Sequence, residues 1–577
     1  MADLQSISIG FIGSGGAGAL TAGNLLLEAA CAAGWQGLLT RSVGPQIRGG
    51  EAAALLRLAN QPVECMAERL DVLIGIDWLN AQRFGAEIAV APDTVVIGDP
   101  RGGPAPPQVA AAGAKVVSLP LKDMAAAIPE GRANMIALGI AGRLLGVSEE
   151  VWPELLTKRL GERGRHVVEG GLASLKAGYE AAGGIAAKSH GTPPAVSTGR
   201  NRWLLSGNEA AALGAIRGGI RFAAAYPITP ATEILEWLAP NLAKAGGVLL
   251  QAEDELAAVN MIIGASYGGT PSLTATSGPG LSLMIEALGL ATAAEIPVVI
   301  IDVMRGGPST GIPTKSEQAD LNIAVYGCHG DAPHLVLAPQ SIADCLFTTQ
   351  WATYLAEALQ APAIVLSDQF IGQARAAIER PADVAFIGER TRAAQAAGAE
   401  GKYKRYAATP SGVSAMALPG TLGCQYTADG LTHTERGIPT SGAADHAAQL
   451  DKRRDKLERF NYGDHWATVE GGGDVAVVTW GSLTGAAREA IARAKADGVE
   501  ASLLAPRLLS PAQPERFAAA LAGKTRVLVV EQSHGAQFHR YLKAHYDLPG
   551  AVKGISRPGP MPIGADEIHK ALREWRS

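Results

Sequence analysis

Short apolar runs, separated by helical stretches, recur along the whole chain and constrain its fold more than any other feature. "SISIGFIG", "TVVIGD", "KVVSLP", "GVLLQ", "SLTATSG", "IPVVIIDVM", "PAIVLSD", "DVAVVTWGS", "ASLLAPRLL" and "RVLVVEQS" follow one another in this way. Runs this short and this apolar are strands covered on both faces, and their alternation with helices implies an α/β fold of doubly wound, mostly parallel sheets. Three such domains are expected: residues 1–190, 205–395 and 471–577. "SHGTPPAVSTGRNRW" reads as a linker over 191–204, and 396–470 as an irregular, charged connector that includes "DKRRDKLERF". The 577 residues suit roughly three or four domains of about 150 residues each.

Composition narrows the class. The chain is 47% hydrophobic and 18% charged with a net charge of −5, which gives no electrostatic case for nucleic acid or an anionic membrane as partner. The N-terminus lacks a basic-then-apolar signal pattern and no apolar stretch is long enough to span a bilayer, so a cytoplasmic protein is expected. Five scattered cysteines, Cys31, Cys65, Cys328, Cys345 and Cys424, form no C-x-x-C pair, so neither zinc nor an iron–sulfur cluster is expected on this chain.

Gly13, Gly15 and Gly18 fit G-x-G-x-x-G between a strand and a helix. A dinucleotide site needs an acid at the end of the second strand, about 20 residues on. Here that strand ends in Thr40 and Arg41, and the next acid is Glu51. The turn is therefore expected either to pack strand on helix or to accept a phosphate, with Arg41 and Arg48 in "RSVGPQIRGGEA" as its cations.

The second unit carries the chemistry-bearing stretches. In "AAAYPITPATEI", Thr229 stands between two prolines, either as a helix cap or as a hydroxyl held out by stiff backbone. "GVLLQAEDELAAVNMIIGASYGG" sets Glu253, Asp254 and Glu255 between a strand and an apolar helix, where acids either complement the helix dipole or do proton chemistry. "IPVVIIDVMRGGPSTGIPTKSEQADL" runs from an apolar strand into a loop that opens on Arg305, well placed to hold a carboxylate, with Ser309, Thr310 and Thr314 following.

These three stretches, with "TATSGPGLSLM" between the second and the third, resemble the α subunit of 2-oxoacid:ferredoxin oxidoreductases. The first 190 residues resemble the γ domain of the same enzymes, as in the 2-oxoglutarate type where γ and α are fused. The resemblance implies a pyrimidine-binding domain for thiamine diphosphate in the second unit and a transketolase-like C-terminal domain in the third. It places the family's activating glutamate on Glu255 and its substrate-binding positions on Thr229, Arg305 and Thr314. Tyr226, Ser277, Ser309, Thr310, Lys315 and His433 are further candidate contacts, with Arg436 beside the last of these. Gly13, Gly15, Gly18, Arg41 and Arg48 are candidates for coenzyme A or phosphate. No G-D-G…N motif for Mg²⁺ and diphosphate is present.

The expected activity follows from the resemblance: oxidative decarboxylation of 2-oxoglutarate with coenzyme A to succinyl-CoA and CO2, reducing ferredoxin. A separate β subunit is expected to carry Mg²⁺, the diphosphate site and a [4Fe-4S] cluster, in an (αβ)2 assembly. The alternatives are another 2-oxo acid (pyruvate, branched-chain or aryl), an NAD(P)-dependent oxidoreductase, and a non-catalytic scaffold subunit.

Overall fold

Each apolar run contributes a strand. The computed structural model describes residues 6–44, 50–79, 81–185, 202–394 and 403–575. In the first third of the chain lie β1 (Ser6–Gly13), β2 (Gln36–Val43), β3 (Ala52–Ala59), β4 (Val72–Gly75), β5 (Val95–Gly98), β6 (Val116–Ser118) and β7 (Arg202–Ser206). The middle adds β8 (Phe222–Ala225), β9 (Val248–Gln251), β10 (Ser272–Thr276), β11 (Val299–Met304), β12 (Leu335–Leu337), β13 (Ala363–Asp368) and β14 (Arg375–Glu379). The last part gives β15 (Ala467–Gly471), β16 (Val475–Val478), β17 (Ala501–Pro506), β18 (Leu508–Ser510), β19 (Arg526–Glu531) and β20 (Ala551–Ser556). Two compact units result: residues 1–206 with 373–381 and 564–566, and residues 207–372 with 382–563 and 567–577.

The first unit holds an eight-stranded sheet in the order β6-β5-β4-β1-β3-β2-β14-β7. β1, β4, β5 and β6 pair in parallel, whereas β3, β2, β14 and β7 are each antiparallel to their neighbours. The α/β class holds, with half of this sheet antiparallel. Arg41 lies near the end of β2 and Ala52 opens β3, and the two strands pair as an antiparallel hairpin; Arg48 lies outside the described residues. β3 is hard to see in sequence because Arg57 interrupts it. That side chain is buried, and it donates to the Cys65 carbonyl at 3.0 Å. Arg202–Ser206, partly inside the expected linker, is the edge strand β7. Helices Ala19–Ala32 and Ala133–Leu144 cover the sheet through a core that includes Phe11, Leu26 and Ile136, all fully buried.

The second unit contains a seven-stranded sheet, β18-β12-β13-β11-β10-β8-β9, and a five-stranded one, β15-β17-β16-β19-β20. Only β18 breaks the parallel pairing of the seven, running antiparallel to β12. It comes from the third apolar block of the sequence, so one short strand ties the two sheets together. A pair of buried glutamines ties them again. Gln318 N donates to the Gln532 carbonyl and Gln532 N to Gln318 Oε1, both at 2.9 Å, while Gln318 Nε2 reaches the Trp480 carbonyl at 2.8 Å. Leaving these buried backbone groups unpaired costs about 1–3 kcal/mol each. Gln318→Ala should therefore lower stability by several kcal/mol in chemical denaturation, and a loss under about 1 kcal/mol would show that the clamp is dispensable.

Among the connector's described residues is the helix Ala443–Glu458, followed by a 3-10 turn, Gly463–Trp466, and the start of β15. The inward face of the helix is charged: Lys452 and Lys456 each hold one oxygen of fully buried Glu295, at 2.5 and 2.7 Å, and Arg405 Nη2 donates to the Glu295 carbonyl at 2.9 Å. Burial alone would raise the Glu295 carboxyl, but Lys456, Lys452 and Arg405 outweigh it and hold the group far below its ordinary value. A carboxyl depressed on folding stabilises the protein above its unfolded pKa, and that stability is lost as pH falls. Glu295→Gln should therefore cost about 3–5 kcal/mol at neutral pH. It should also flatten the fall in stability below about pH 4.5, measured by denaturation across pH. An acid limb identical to the wild type's would dismiss the coupling.

Candidate functional site

Parallel sheets deliver their loops at the carboxyl ends of the strands, and β11, β10, β8 and β9 stand side by side there. The residues singled out in sequence follow these four strands. Tyr226 and Thr229 come after β8, Glu255 after β9, Ser277 after β10 and Arg305 after β11.

Glu255 is the first residue of the helix Glu255–Tyr267 and is 7% exposed. Asp254, not Glu255, caps that helix: its Oδ1 accepts from Ala257 N at 2.7 Å. The cap leaves the Glu255 side chain to turn inward, against the first turn of the neighbouring helix Gly278–Ala293. The approach needs a glycine. A Cβ on Gly280 would stand 2.1 Å from Thr276 Oγ1 and 2.8 Å from Glu255 Oε1. The Glu255 carboxylate has no hydrogen-bond or ion-pair partner among the described residues. Beside it, Ser277 caps the second helix in backbone conformation only, and its buried Oγ makes no hydrogen bond.

Arg305 is buried at 6% exposure and donates from Nη1 to the Thr229 carbonyl at 2.6 Å, while its Nε has no partner. This bond joins the loop after β11 to the loop after β8. Thr229 does not cap the following helix, which begins at Thr232 with Ala231 in the cap position; its peptide to Pro230 is cis. The loop beyond Arg305 folds back on itself. Ile312 N donates to the Gly306 carbonyl at 2.8 Å and Gly306 N to the Lys315 carbonyl at 3.0 Å. Ser309 and Thr310 sit at its exposed tip, Lys315 on the returning arm, and Thr314 is buried on that arm.

Two acids that the sequence did not single out complete the group. Asp302, on β11, is fully buried, and neither of its oxygens finds a donor. It stands in register with Thr276, and its carboxyl lies within hydrogen-bonding reach of Asp320. Asp320 precedes the short helix Leu321–Tyr326 and packs on Gly278, where a Cβ would meet its Oδ2 at 2.6 Å. Burial first, and then the negative charge of Asp320, push the Asp302 carboxyl well above its ordinary value; burial also raises Asp320. Burial lowers Arg305, and Asp320 and Asp302 oppose the shift. A buried strand acid within an apolar run carries no local signal, which is why sequence reading passed over Asp302.

Other candidates lie elsewhere. His433 is packed in the connector, stacked on Tyr406 with ring centroids 4.9 Å apart. Its Nε2 is 2.9 Å from Asp429 Oδ1 but out of line for a hydrogen bond. The structure does not bring it to Arg305, and Arg436 is exposed on the same turn. In the first unit the glycine turn is occupied by the chain itself. Asp77 Oδ1 accepts from Ser14 N at 3.0 Å and Asp77 Oδ2 from Ser14 Oγ at 2.7 Å, and Gly18 takes a left-handed φ of 82°. Antiparallel β3 separates β1 from β2, so the end of β2 cannot supply a ribose contact beside this turn. Among the described residues no group of His, Cys, Asp and Glu is arranged to hold a metal, and no helix is long and apolar enough to cross a membrane.

A glutamate, an arginine and hydroxyls follow neighbouring strand ends of the parallel sheet in the second unit. Three family models match the chain. Residues 213–452 match "Pyruvate flavodoxin/ferredoxin oxidoreductase, thiamine diP-bdg", residues 8–181 match "Pyruvate ferredoxin/flavodoxin oxidoreductase", and residues 464–573 match the transketolase C-terminal domain. The 2-oxoglutarate synthase subunit KorA of Methanothermobacter marburgensis is 36% identical over 373 residues, 64% of this chain and 96% of that one. The 2-oxoglutarate oxidoreductase subunit KorA of Mycobacterium tuberculosis is 32% identical over 76% of this chain and 68% of its own. A solved structure of 2-oxoglutarate:ferredoxin oxidoreductase from Magnetococcus marinus, with 2-oxoglutarate, coenzyme A and succinyl-CoA bound, superposes with a TM-score of 0.89. It is 34% identical and is covered over 99% of both chains. The chain belongs to the 2-oxoacid:ferredoxin oxidoreductases, as an α-type chain with a γ-like domain fused at its N-terminal end.

Gly280→Ala tests the geometry directly. The added methyl must displace Thr276 or Glu255, and overpacking of this kind costs about 1–3 kcal/mol. A lowered melting temperature is expected; an unchanged one would mean that the two side chains are not in contact there.

Proposed function

We propose that the chain is the α-type subunit of a thiamine-diphosphate-dependent 2-oxoglutarate:ferredoxin oxidoreductase. The reaction converts 2-oxoglutarate and coenzyme A to succinyl-CoA and CO2 and passes two electrons to ferredoxin. The observation that carries this reading is the unpartnered Glu255 carboxylate seated against Gly280, with Arg305 at the end of the neighbouring strands. The residues present fit the cofactor: the Ser277 hydroxyl and Arg305 Nε are buried without partners, and Gly278 and Gly280 keep the helix start open.

When bound, the cofactor supplies a carbanionic nucleophile for the 2-oxo carbon and an electron sink for decarboxylation. Glu255 would exchange a proton with the aminopyrimidine ring. Arg305 would pair with the carboxylate next to the 2-oxo group, held in pose by its bond to the Thr229 carbonyl. The Thr229 and Thr314 hydroxyls would orient the substrate, with Tyr226, Ser277, Ser309, Thr310 and Lys315 as further contacts. The choice of 2-oxoglutarate rests on the named relatives and on the ligands of the Magnetococcus enzyme, and the same likeness supports coenzyme A as acyl acceptor. His433, stacked on Tyr406 in the connector, is not among the contacts this reading uses. Asp77 already fills the glycine turn, so a phosphate there would have to displace a carboxylate.

A partner chain carrying Mg²⁺, the diphosphate site and the [4Fe-4S] cluster completes the enzyme in this reading. The "subunit" in the relatives' names supports it. So does exposed apolar surface near Glu255: Val248 and Leu250 on edge strand β9, Leu256 and Met261 on the Glu255 helix, and Leu283 on the next.

The test is to co-express the chain with its partner and measure coenzyme-A-dependent reduction of a low-potential dye across a panel of 2-oxo acids. 2-Oxoglutarate should be preferred, and Glu255→Gln should cut turnover about a hundredfold or more while assembly persists. Arg305→Lys should mainly raise KM, because a point charge replaces the planar fork. Near-normal turnover of Glu255→Gln would remove that residue's role, and a wide preference for pyruvate or an aryl acid would overturn the substrate assignment. Saturable NADH binding by the chain would favour the dinucleotide alternative.

A further inference from the structure

The role given to Arg305 leaves two buried acids near it without an assigned task. Asp302 and Asp320 come from different elements, the strand β11 and the end of the loop that Arg305 opens, yet their carboxyls meet. Neighbouring Asp368, at the end of β13, shows what an ordinary buried acid looks like here: its Oδ1 accepts from Ile371 N at 3.0 Å. Asp302 has nothing of the kind. Both of its oxygens and Asp320 Oδ2 are buried without a donor. The one hydrogen bond open to them is through a proton held between the two carboxyls.

We infer that Asp302 and Asp320 act as a single-proton carboxyl pair that sets the net charge of the corner behind Arg305. With one proton the pair carries one negative charge, which balances the guanidinium without cancelling its attraction for a substrate carboxylate. Two ionised carboxylates would surround Arg305 with more negative charge than it can answer, and an incoming anion would be repelled. A fully neutral pair would leave a buried guanidinium uncompensated. The pair therefore belongs to substrate positioning, acting through Arg305 and not on the reacting atoms. The charged groups that face it are Arg305 and, on the Asp320 side, Glu317. Burial raises Glu317 in its turn.

This inference rests on Arg305 receiving the substrate carboxylate, and two readouts separate it from that reading. The first needs no activity. Infrared difference spectra of the full chain, with carboxyl-labelled aspartate, should show a carboxylic-acid C=O band at neutral pH that disappears in Asp302→Asn. Asp320→Asn should also remove it, and serves if the first variant folds poorly. The same proton appears in stability. A carboxyl raised on folding makes the native state bind the extra proton, so stability falls as pH rises from the unfolded pKa to the folded one. Asp302→Asn should remove that slope. No acid band, or a band unchanged in both variants, would overturn the pair.

The second readout uses the active complex. In the wild type, KM for the 2-oxo acid should rise roughly threefold to tenfold on the alkaline side as the pair loses its proton, with kcat little changed. Asp302→Asn has no shared proton to lose and should abolish the rise. Parallel KM profiles in wild type and Asp302→Asn, with Arg305→Ala raising KM, would overturn the inference and spare the role of Arg305. A band that behaves as expected beside an Arg305→Ala of normal KM would keep the proton pair and overturn its link to substrate.

Discussion

The second unit depends on β11, which is hydrogen-bonded along its length to β10 on one side and β13 on the other. A strand fixed from both sides cannot shift its register, so the residue that follows Met304 starts from a rigid point. Arg305 is that residue, and its bond to the Thr229 carbonyl passes the same rigidity to the loop after β8. The Gln318–Gln532 exchange then fixes the far end of the Arg305 loop to the last sheet. A flexible-looking stretch rich in glycine, serine and proline is thus held at both ends. Its tip at Ser309 and Thr310 is exposed, while its two arms are anchored.

Much of this was readable from the residues. The apolar runs marked a strand each, because a strand covered on both faces must be apolar at every position. Glu255 was separable from Glu253 and Asp254 only through the resemblance, and the structure gives the physical reason for the distinction: Asp254 does the capping, and Glu255 is free to point into the sheet's end. Strands containing a charge were not readable. Arg57 hides β3, although its guanidinium is satisfied inside the fold by the Cys65 carbonyl. The antiparallel half of the first sheet went with it, since β3 is the strand that sets β2 against β1.

The connector shows the same limit in a stronger form. Periodicity finds helices by their apolar face, and the helix Ala443–Glu458 turns lysines inward instead. Lys452 and Lys456 are partners for one carboxylate, Glu295, about 150 positions away in sequence. A hydropathy pattern carries no record of a partner at that distance. The charged stretch "DKRRDKLERF" therefore reads as an irregular connector, although Lys452, Arg453 and Lys456 are buried within the fold.

Buried charge also separates structure from chemistry in this chain. Glu295 is matched by two ammonium groups, and burial costs are met within the cluster, so nothing remains for a ligand to satisfy. Asp368 is met by a backbone N–H in the same way. Around the strand ends of β10 and β11 the accounts stay open: Ser277 Oγ and Arg305 Nε are buried without protein partners, and no donor other than the proton shared with Asp320 reaches the Asp302 carboxyl. An unsatisfied buried polar atom costs about 1–3 kcal/mol, and a ligand bound at these strand ends would offset that cost for Ser277 Oγ and Arg305 Nε. The groups left incomplete are the ones that a cofactor and an anionic substrate would complete, and the shared proton of Asp302 and Asp320 keeps that corner from repelling them.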